Sequence, residues 1–291
     1  MLRIRLSLRR KDAREQIFCR GRGARTSAAL FVAVVPVFLL VSGCASADKK
    51  PMLDPEAELA WADELIARKK YYKARLKLQE VLQFGVTDKE QNSRAQIALA
   101  DSYYRDGGTL NLAEALARYT NFLAFNPLHT RSDYVQYQVG LCYFEQVYSS
   151  DKDQGQTRKS MEEFRKVGAL YPASPFVAEA EARMQEGRQL LAHHELVVGR
   201  FYASRKAYMA AIDRYRSILD RFPRFDNKPT VYFLLAKALN ALERFGEARA
   251  YLKLLIANYP DHEIRSSAEQ MLRKLDRRSL QPVGVADVIE E

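Results

Sequence analysis

The feature that most constrains this chain of 291 residues is its similarity to itself. Five times it places a small residue, then an apolar residue four further on, then another after three more. The sets are Ala74, Leu78, Val81; Ala115, Tyr119, Phe122; Ser160, Phe164, Val167; Ala211, Tyr215, Ile218; and Ala248, Leu252, Leu255. This spacing puts all three on one face of a helix. In the last four sets a proline follows (Pro127, Pro172, Pro223, Pro260), where it stops the helix. Upstream of each set is a matching motif of an apolar residue, a small one and a large one: Trp61-Ala62 and Leu65, Leu99-Ala100 and Tyr103, Val139-Gly140 and Tyr143, Val198-Gly199 and Tyr202, Leu235-Ala236 and Leu239.

Two helices per unit, with small residues where they approach, match the tetratricopeptide (TPR) signature. The expected fold is all-α, a superhelical TPR-type array of about five helical hairpins plus a C-terminal capping helix. One hairpin cannot bury its apolar face alone, so neighbours stack and leave a concave groove. The expected organisation is repeats 1–3 over 55–173, then repeats 4–5 and the capping helix over 174–276. Residues 175–191 read as extra helix that extends the first helix of repeat 4. The cap is expected over 262–276 and a loose tail over 277–291. The Gly107-Gly108 stretch reads as a turn, and Ser149–Gln156 as an insertion of about eight residues between the paired helices of repeat 3.

The segment before the repeats has a different logic. Residues 1–43 carry nine Lys/Arg and two acids, so most of the formal net charge of +10 lies there. The remainder is close to neutral, which argues against nucleic acid as a partner. Behind the arginines come 14 uncharged, largely apolar residues, 28–41. About 20 are needed to span a bilayer, so this is the length of a signal-peptide core. The run ends in Val41-Ser42-Gly43-Cys44, which resembles a bacterial lipobox. Residues 1–43 are read as a signal peptide, Cys44 as the lipidated residue, and 44–54 as a short tether. A second reading takes Ala45-Ser46-Ala47 as an ordinary cleavage site releasing a soluble protein. Ala rather than Asp at 45 resembles the sorting signal for the outer membrane.

Nothing in the sequence resembles a catalytic or metal constellation. His193 and His194 are adjacent, so on a helix they point about 100° apart. Cys142 reads as a small core residue. The chain is therefore read as a scaffold, not an enzyme, with no cofactor and no metal. Its candidate peptide-binding groove comprises Arg94, Asp101, Tyr104, Arg105, Tyr134, Tyr137 and Phe144. Aromatic faces and guanidiniums suit an extended peptide with aromatic side chains and a terminal carboxylate. The alternative is that Tyr137 and Phe144 pack between repeats. Arg214 and Arg221 on the second helix of repeat 4 are the candidates for docking a partner, against the plainer reading of a solvated face.

The phrase Asn126-Pro127-Leu128-His129, then Asp133-Tyr134-Val135-Gln136-Tyr137 and Gly140-Leu141-Cys142-Tyr143, is more specific than the repeats. With Tyr171-Pro172-Ala173-Ser174-Pro175, Arg183, the lipobox and the five pairs, residues 41–275 resemble the BamD family, TPR lipoproteins of the outer-membrane β-barrel assembly machinery. The long leader and the 149–156 insertion depart from the family pattern. The resemblance implies an outer-membrane, lipid-anchored scaffold facing the periplasm. It further implies partners: a BamA-like barrel subunit met through the C-terminal repeats, other assembly-complex subunits, and unfolded outer-membrane protein segments. Another TPR envelope lipoprotein or periplasmic adaptor, serving cell-wall synthesis or secretion, is the alternative. Cys44→Ala is expected to remove the lipid and release the chain from the outer-membrane fraction. Intact mass of the native protein decides it, and an unmodified N-terminus at Asp48 would mean ordinary cleavage.

Overall fold

The computed structural model describes residues 54–84, 88–147 and 149–280; Cys44, the leader and most of the tether lie outside them. The described residues form eleven α-helices and no strand. In chain order these are α1 (Pro55–Ala67), α2 (Tyr71–Phe84), α3 (Lys89–Asp106), α4 (Thr109–Phe125), α5 (Ser132–Phe144), α6 (Gly155–Leu170), α7 (Val177–Ser204), α8 (Tyr208–Arg221), α9 (Lys228–Ala241), α10 (Phe245–Asn258) and α11 (Arg265–Leu280). Each packs on its predecessor and its successor. The five expected hairpins are α1/α2, α3/α4, α5/α6, α7/α8 and α9/α10, with α11 as the cap.

The small residues of the repeats all lie in the interior. Ala62, Ala100 and Ala236 of the first helices, and Ala74, Ala115, Ser160, Ala211 and Ala248 of the second, are fully buried. Gly140 and Gly199 show why. A β-carbon on Gly140 would sit 2.5 Å from the Phe164 ring, and one on Gly199 would collide with the Tyr215 ring. Phe164 and Tyr215 occupy the same place in their repeats, four residues after Ser160 and Ala211. The small residue of one helix thus seats the ring of its partner. Trp61 departs from the pattern. It precedes a small residue, as Leu99, Val139 and Leu235 do, yet it is 46% exposed where they are buried. Repeat 1 has no hairpin before it among the described residues, so that position lacks a neighbour, and Lys77 covers the indole instead at 4.6 Å.

Three of the hairpin turns share one device. Lys69, Lys206 and Glu243 have positive φ (58°, 62° and 59°). The next residue's N–H reaches back to the carbonyls of Leu65, Tyr202 and Leu239, respectively, at 2.8–3.0 Å. This is a Schellman closure, usually built on glycine. Repeat 2 uses Gly107 and Gly108 instead.

Three expectations need adjustment. The cap begins at Arg265 and runs to Leu280, so residues 277–280 are helical rather than tail. No breaker follows Ala268 until Pro282, and Leu275 is buried against the preceding hairpin. The 149–156 stretch is not simply an open loop. Gln154 is buried, donating to the Ser149 and Lys152 carbonyls and accepting from the Thr157 hydroxyl, and α6 starts at Gly155. Finally, 173/174 falls in the α6–α7 turn, but Ala180 of α7 shares a cluster with Tyr137, Phe164 and Val167, so the apolar core continues across it. Residues 177–204 form one helix of 28 residues that packs on both α6 and α8.

Gly199→Ala and Ala211→Leu are each expected to overpack the α7/α8 contact and cost about 1–3 kcal/mol. Lys237→Gln, on the exposed face of α9, is expected to be near neutral. Thermal unfolding compares the three, and equal melting temperatures would show the repeat register to be wrong.

Candidate functional site

The face of α3 carries the candidate groove. Asp101 is its centre, half-buried, and one oxygen accepts from two tyrosines on different helices: Tyr119 of α4 at 2.5 Å and Tyr134 of α5 at 3.0 Å. Burial pushes the Asp101 carboxyl up, against the pull of the two hydroxyls and the positive charges of Arg131 and Arg105. The Tyr119 and Tyr134 hydroxyls are pushed up by burial and by that carboxylate. Arg131 lies over the Tyr134 ring at 4.6 Å. Asp101 therefore holds three helices together through that one oxygen.

Tyr104 and Arg105, three and four residues on, stand differently. Burial pushes the Tyr104 hydroxyl up to about 12. Arg105 is exposed. Both line a cleft of about 510 Å³ closed by Gly107, Gly108, Thr109 and Leu112 on one side and Glu145, Gln146, Val147 and Gln156 on the other. The cleft lies at the α3–α4 and α5–α6 turns, so the insertion of repeat 3 forms part of its wall.

The structure disperses the other expected groove residues. Arg94 is engaged by Glu56 and Asp63 of α1 at 2.7 and 2.8 Å, so it ties α3 to α1 instead of waiting for a ligand carboxylate. Tyr137 is a packing residue: only 4% exposed, it stacks on Phe176 at 5.3 Å and lies 5.6 Å from Phe164. Its position follows from Gly140 one turn later, which brings Phe164 under α5. Phe144 is half-buried beside Phe164, with Arg183 over its ring at 5.3 Å. Cys142 is buried, and its thiol is pushed up to about 12.

On the C-terminal repeats, Arg214 and Arg221 converge on a residue that sequence reasoning missed. Glu195 of α7 is 9% exposed and lies 3.0 Å from Arg214 and 3.6 Å from Arg221. The signal was there, since Glu195 stands four residues before Gly199, on the face that meets α8. Both guanidiniums remain open to solvent. They form a positively charged face anchored from behind by one carboxylate. Beside them Tyr202, Ala210, Asp213 and Ser217 shape a shallow depression.

Among the described residues, no group of three His, Cys, Asp or Glu is placed to hold a metal, and no helix is long and apolar enough to cross a membrane. A stacked array of TPR hairpins presenting clefts and charged faces is a protein-interaction scaffold. The chain belongs to the YfiO family of outer membrane lipoproteins, whose model matches residues 56–251. It is 27% identical to the outer membrane protein assembly factor BamD of Caulobacter vibrioides over 245 residues, which is 82% of this chain and 77% of that protein. It is 25% identical to the factor of the same name from Rickettsia prowazekii over 248 residues, 84% and 96% of the two chains. Among solved structures it is similar to the TPR2AB domain of yeast Sti1, at 15% identity and a TM-score of 0.42, with 77% of this chain and 84% of that one covered.

Tyr119→Phe preserves the packing of a fully buried ring and removes one of the two hydroxyls on Asp101. Losing a charge-assisted hydrogen bond there is expected to lower stability by about 1–3 kcal/mol in denaturant unfolding. A wild-type midpoint would mean that Asp101 does not tie α3 to α4.

Proposed function

We propose that this chain is a lipid-anchored scaffold on the periplasmic side of the outer membrane that takes part in assembling β-barrel proteins. The observation that carries the reading is the family match over 56–251, together with relatives named as outer membrane protein assembly factors that align along most of their length. The anchor is Cys44, in the lipobox that closes the leader.

Within this reading the two ends of the array have different tasks. The Arg214 and Arg221 face of α8 docks a BamA-like subunit, whose acidic side chains would replace water on guanidiniums already held in place by Glu195. The cleft at Tyr104 and Arg105 takes a segment of an unfolded barrel protein. An aromatic side chain would lie against Tyr104 and the Gly107-Gly108 turn, and Arg105 would receive a carboxylate. Arg94, Asp101, Tyr134, Tyr137 and Phe144 support this cleft from within the repeats rather than line it.

Affinity purification from solubilised outer membrane tests the whole reading. The chain is expected to bring down a barrel subunit carrying periplasmic domains, with unfolded barrel chains. Arg214→Glu with Arg221→Glu should lose the subunit, and Arg105→Ala should keep it while losing the unfolded chains. Both variants should retain the parent circular dichroism. Capture of peptidoglycan synthases or secretion subunits in place of the barrel would overturn the assignment.

A further inference from the structure

The turn between α8 and α9 differs from the other turns between repeats at two positions. The helix-ending prolines stand at 127, 172, 223 and 260. Two residues before them come Phe125, Leu170, Arg221 and Asn258; one residue after them come Leu128, Ala173, Arg224 and Asp261. Of these four turns, that of the fourth repeat alone carries a cation at both positions, so the repeat pattern itself does not call for these arginines. The first half of α7 brings a third, Arg188. The three guanidiniums line one cleft of about 420 Å³ between α7 and the α8–α9 turn.

The cleft is built from fixed parts. Gln189 of α7 grips the turn by its backbone: its amide donates to the Arg224 carbonyl at 2.8 Å and accepts from the Asp226 N–H at 3.2 Å. His193, one turn further along α7, meets the Phe225 ring at right angles at 4.8 Å. Arg188 has a neutral partner, donating to Gln185 at 3.3 Å, and Arg221 has Glu195 at 3.6 Å. Among the described residues, no carboxylate lines the cleft: Glu186 pairs with Arg183 at 3.1 Å, and Asp220 and Asp226 are exposed outside the lining. Three gathered guanidiniums repel one another, and the one acid at Arg221 leaves the cleft with a positive surplus.

We propose that this cleft receives an extended acidic segment of a partner protein, with carboxylates on Arg188, Arg221 and Arg224 and an apolar side chain against Phe222, Pro223 and Phe225. Charge complementarity sets the sign of the occupant; size and lining set its class. A lone phosphate group would satisfy guanidiniums but leave the apolar lining and most of the volume unused. Carboxylates interspersed with apolar side chains use both, and Arg pairs with carboxylate in two parallel hydrogen bonds. Because Gln189 and His193 already hold the turn, little ordering remains to oppose binding. The inference does not rest on the barrel-assembly reading. Arg221 is shared with the docking face proposed there, whereas Arg188 and Arg224 belong to the cleft alone and Arg214 lies outside it.

The test uses the full chain in non-ionic detergent at physiological salt, where distant charges are screened. The probe is a rhodamine-labelled peptide of glutamates alternating with leucines, followed by fluorescence anisotropy. The parent is expected to bind it, and Arg188→Glu with Arg224→Glu to weaken it by about tenfold or more. Arg158→Glu with Arg165→Glu makes the same charge change on the exposed face of α6 and is expected to leave binding within about twofold of the parent. A peptide with serines in place of the leucines is expected to bind several-fold more weakly. Circular dichroism checks the fold of each variant. Arg224→Gln alone keeps the backbone that Gln189 holds and is expected to lose affinity several-fold, so the test stands even where the double charge reversal does not fold. No binding by the parent, or equal losses in the two double variants, overturns the cleft as the site. A serine peptide that binds as tightly as the leucine peptide, or displacement of the leucine peptide by inorganic phosphate, overturns the peptide in favour of a plain anion site.

Discussion

Everything in this array rests on the meeting of a small residue with a large one between paired helices. Where Gly140 faces Phe164 and Gly199 faces Tyr215, no β-carbon fits, and the ring fills the space that a side chain would have taken. That contact sets how closely the helices approach, and hence which residues turn outward. Arg105 turns out into a cleft because Ala100, five residues earlier and about 140° round the helix, is buried. Arg214 faces outward because Ala211 and Tyr215 face inward. A binding surface on such a scaffold is what remains once the small-against-large contacts have been made.

Polar contacts then tie the hairpins to one another where apolar packing alone is indifferent to sliding. Arg94 spans from α3 to α1, Asp101 draws α4 and α5 onto α3, and Glu195 gathers two arginines of α8. Each tie joins groups that are half-buried or carry charge, and such pairs specify geometry more than they add stability. Arg94, Asp101, Arg214 and Arg221 are also residues that a reading for ligand contacts picks, since charged groups on an inward-leaning face look alike whether the partner is internal or external.

This explains what could be read in the sequence and what could not. The five hairpins were legible because Ala74, Ala115, Ser160, Ala211 and Ala248 stand at one register and helix-stopping prolines follow four of them. The length of α7 was legible because residues 175–191 read as helix running into the first helix of repeat 4, with no proline after Pro175. Arg94 and Tyr137 were misplaced for one reason: periodicity tells which face a residue is on, not which neighbouring helix crosses that face. Glu56 and Asp63 lie 38 and 31 residues before Arg94, and no local pattern relates them. Tyr137 points toward Phe176, which belongs to the next repeat's turn. The folded form of 149–156 depends on one buried amide, Gln154, in a stretch whose composition reads as solvent-facing.

The helix α7 has mechanical consequences. At 28 residues and 1.5 Å each it is about 42 Å long, twice the span of α8, and it lies in two hairpin interfaces at once. Its first half carries Ala180 in the core of the third repeat; its second half carries Glu195 and Gly199 in the core of the fourth. A stacked array ordinarily flexes a little at every junction. Here one junction is replaced by a continuous rod, and His194 pins that rod to the Ser150 carbonyl near its middle. The third and fourth repeats thus share one splint, and a push on α8 acts on the same helix that packs on α6.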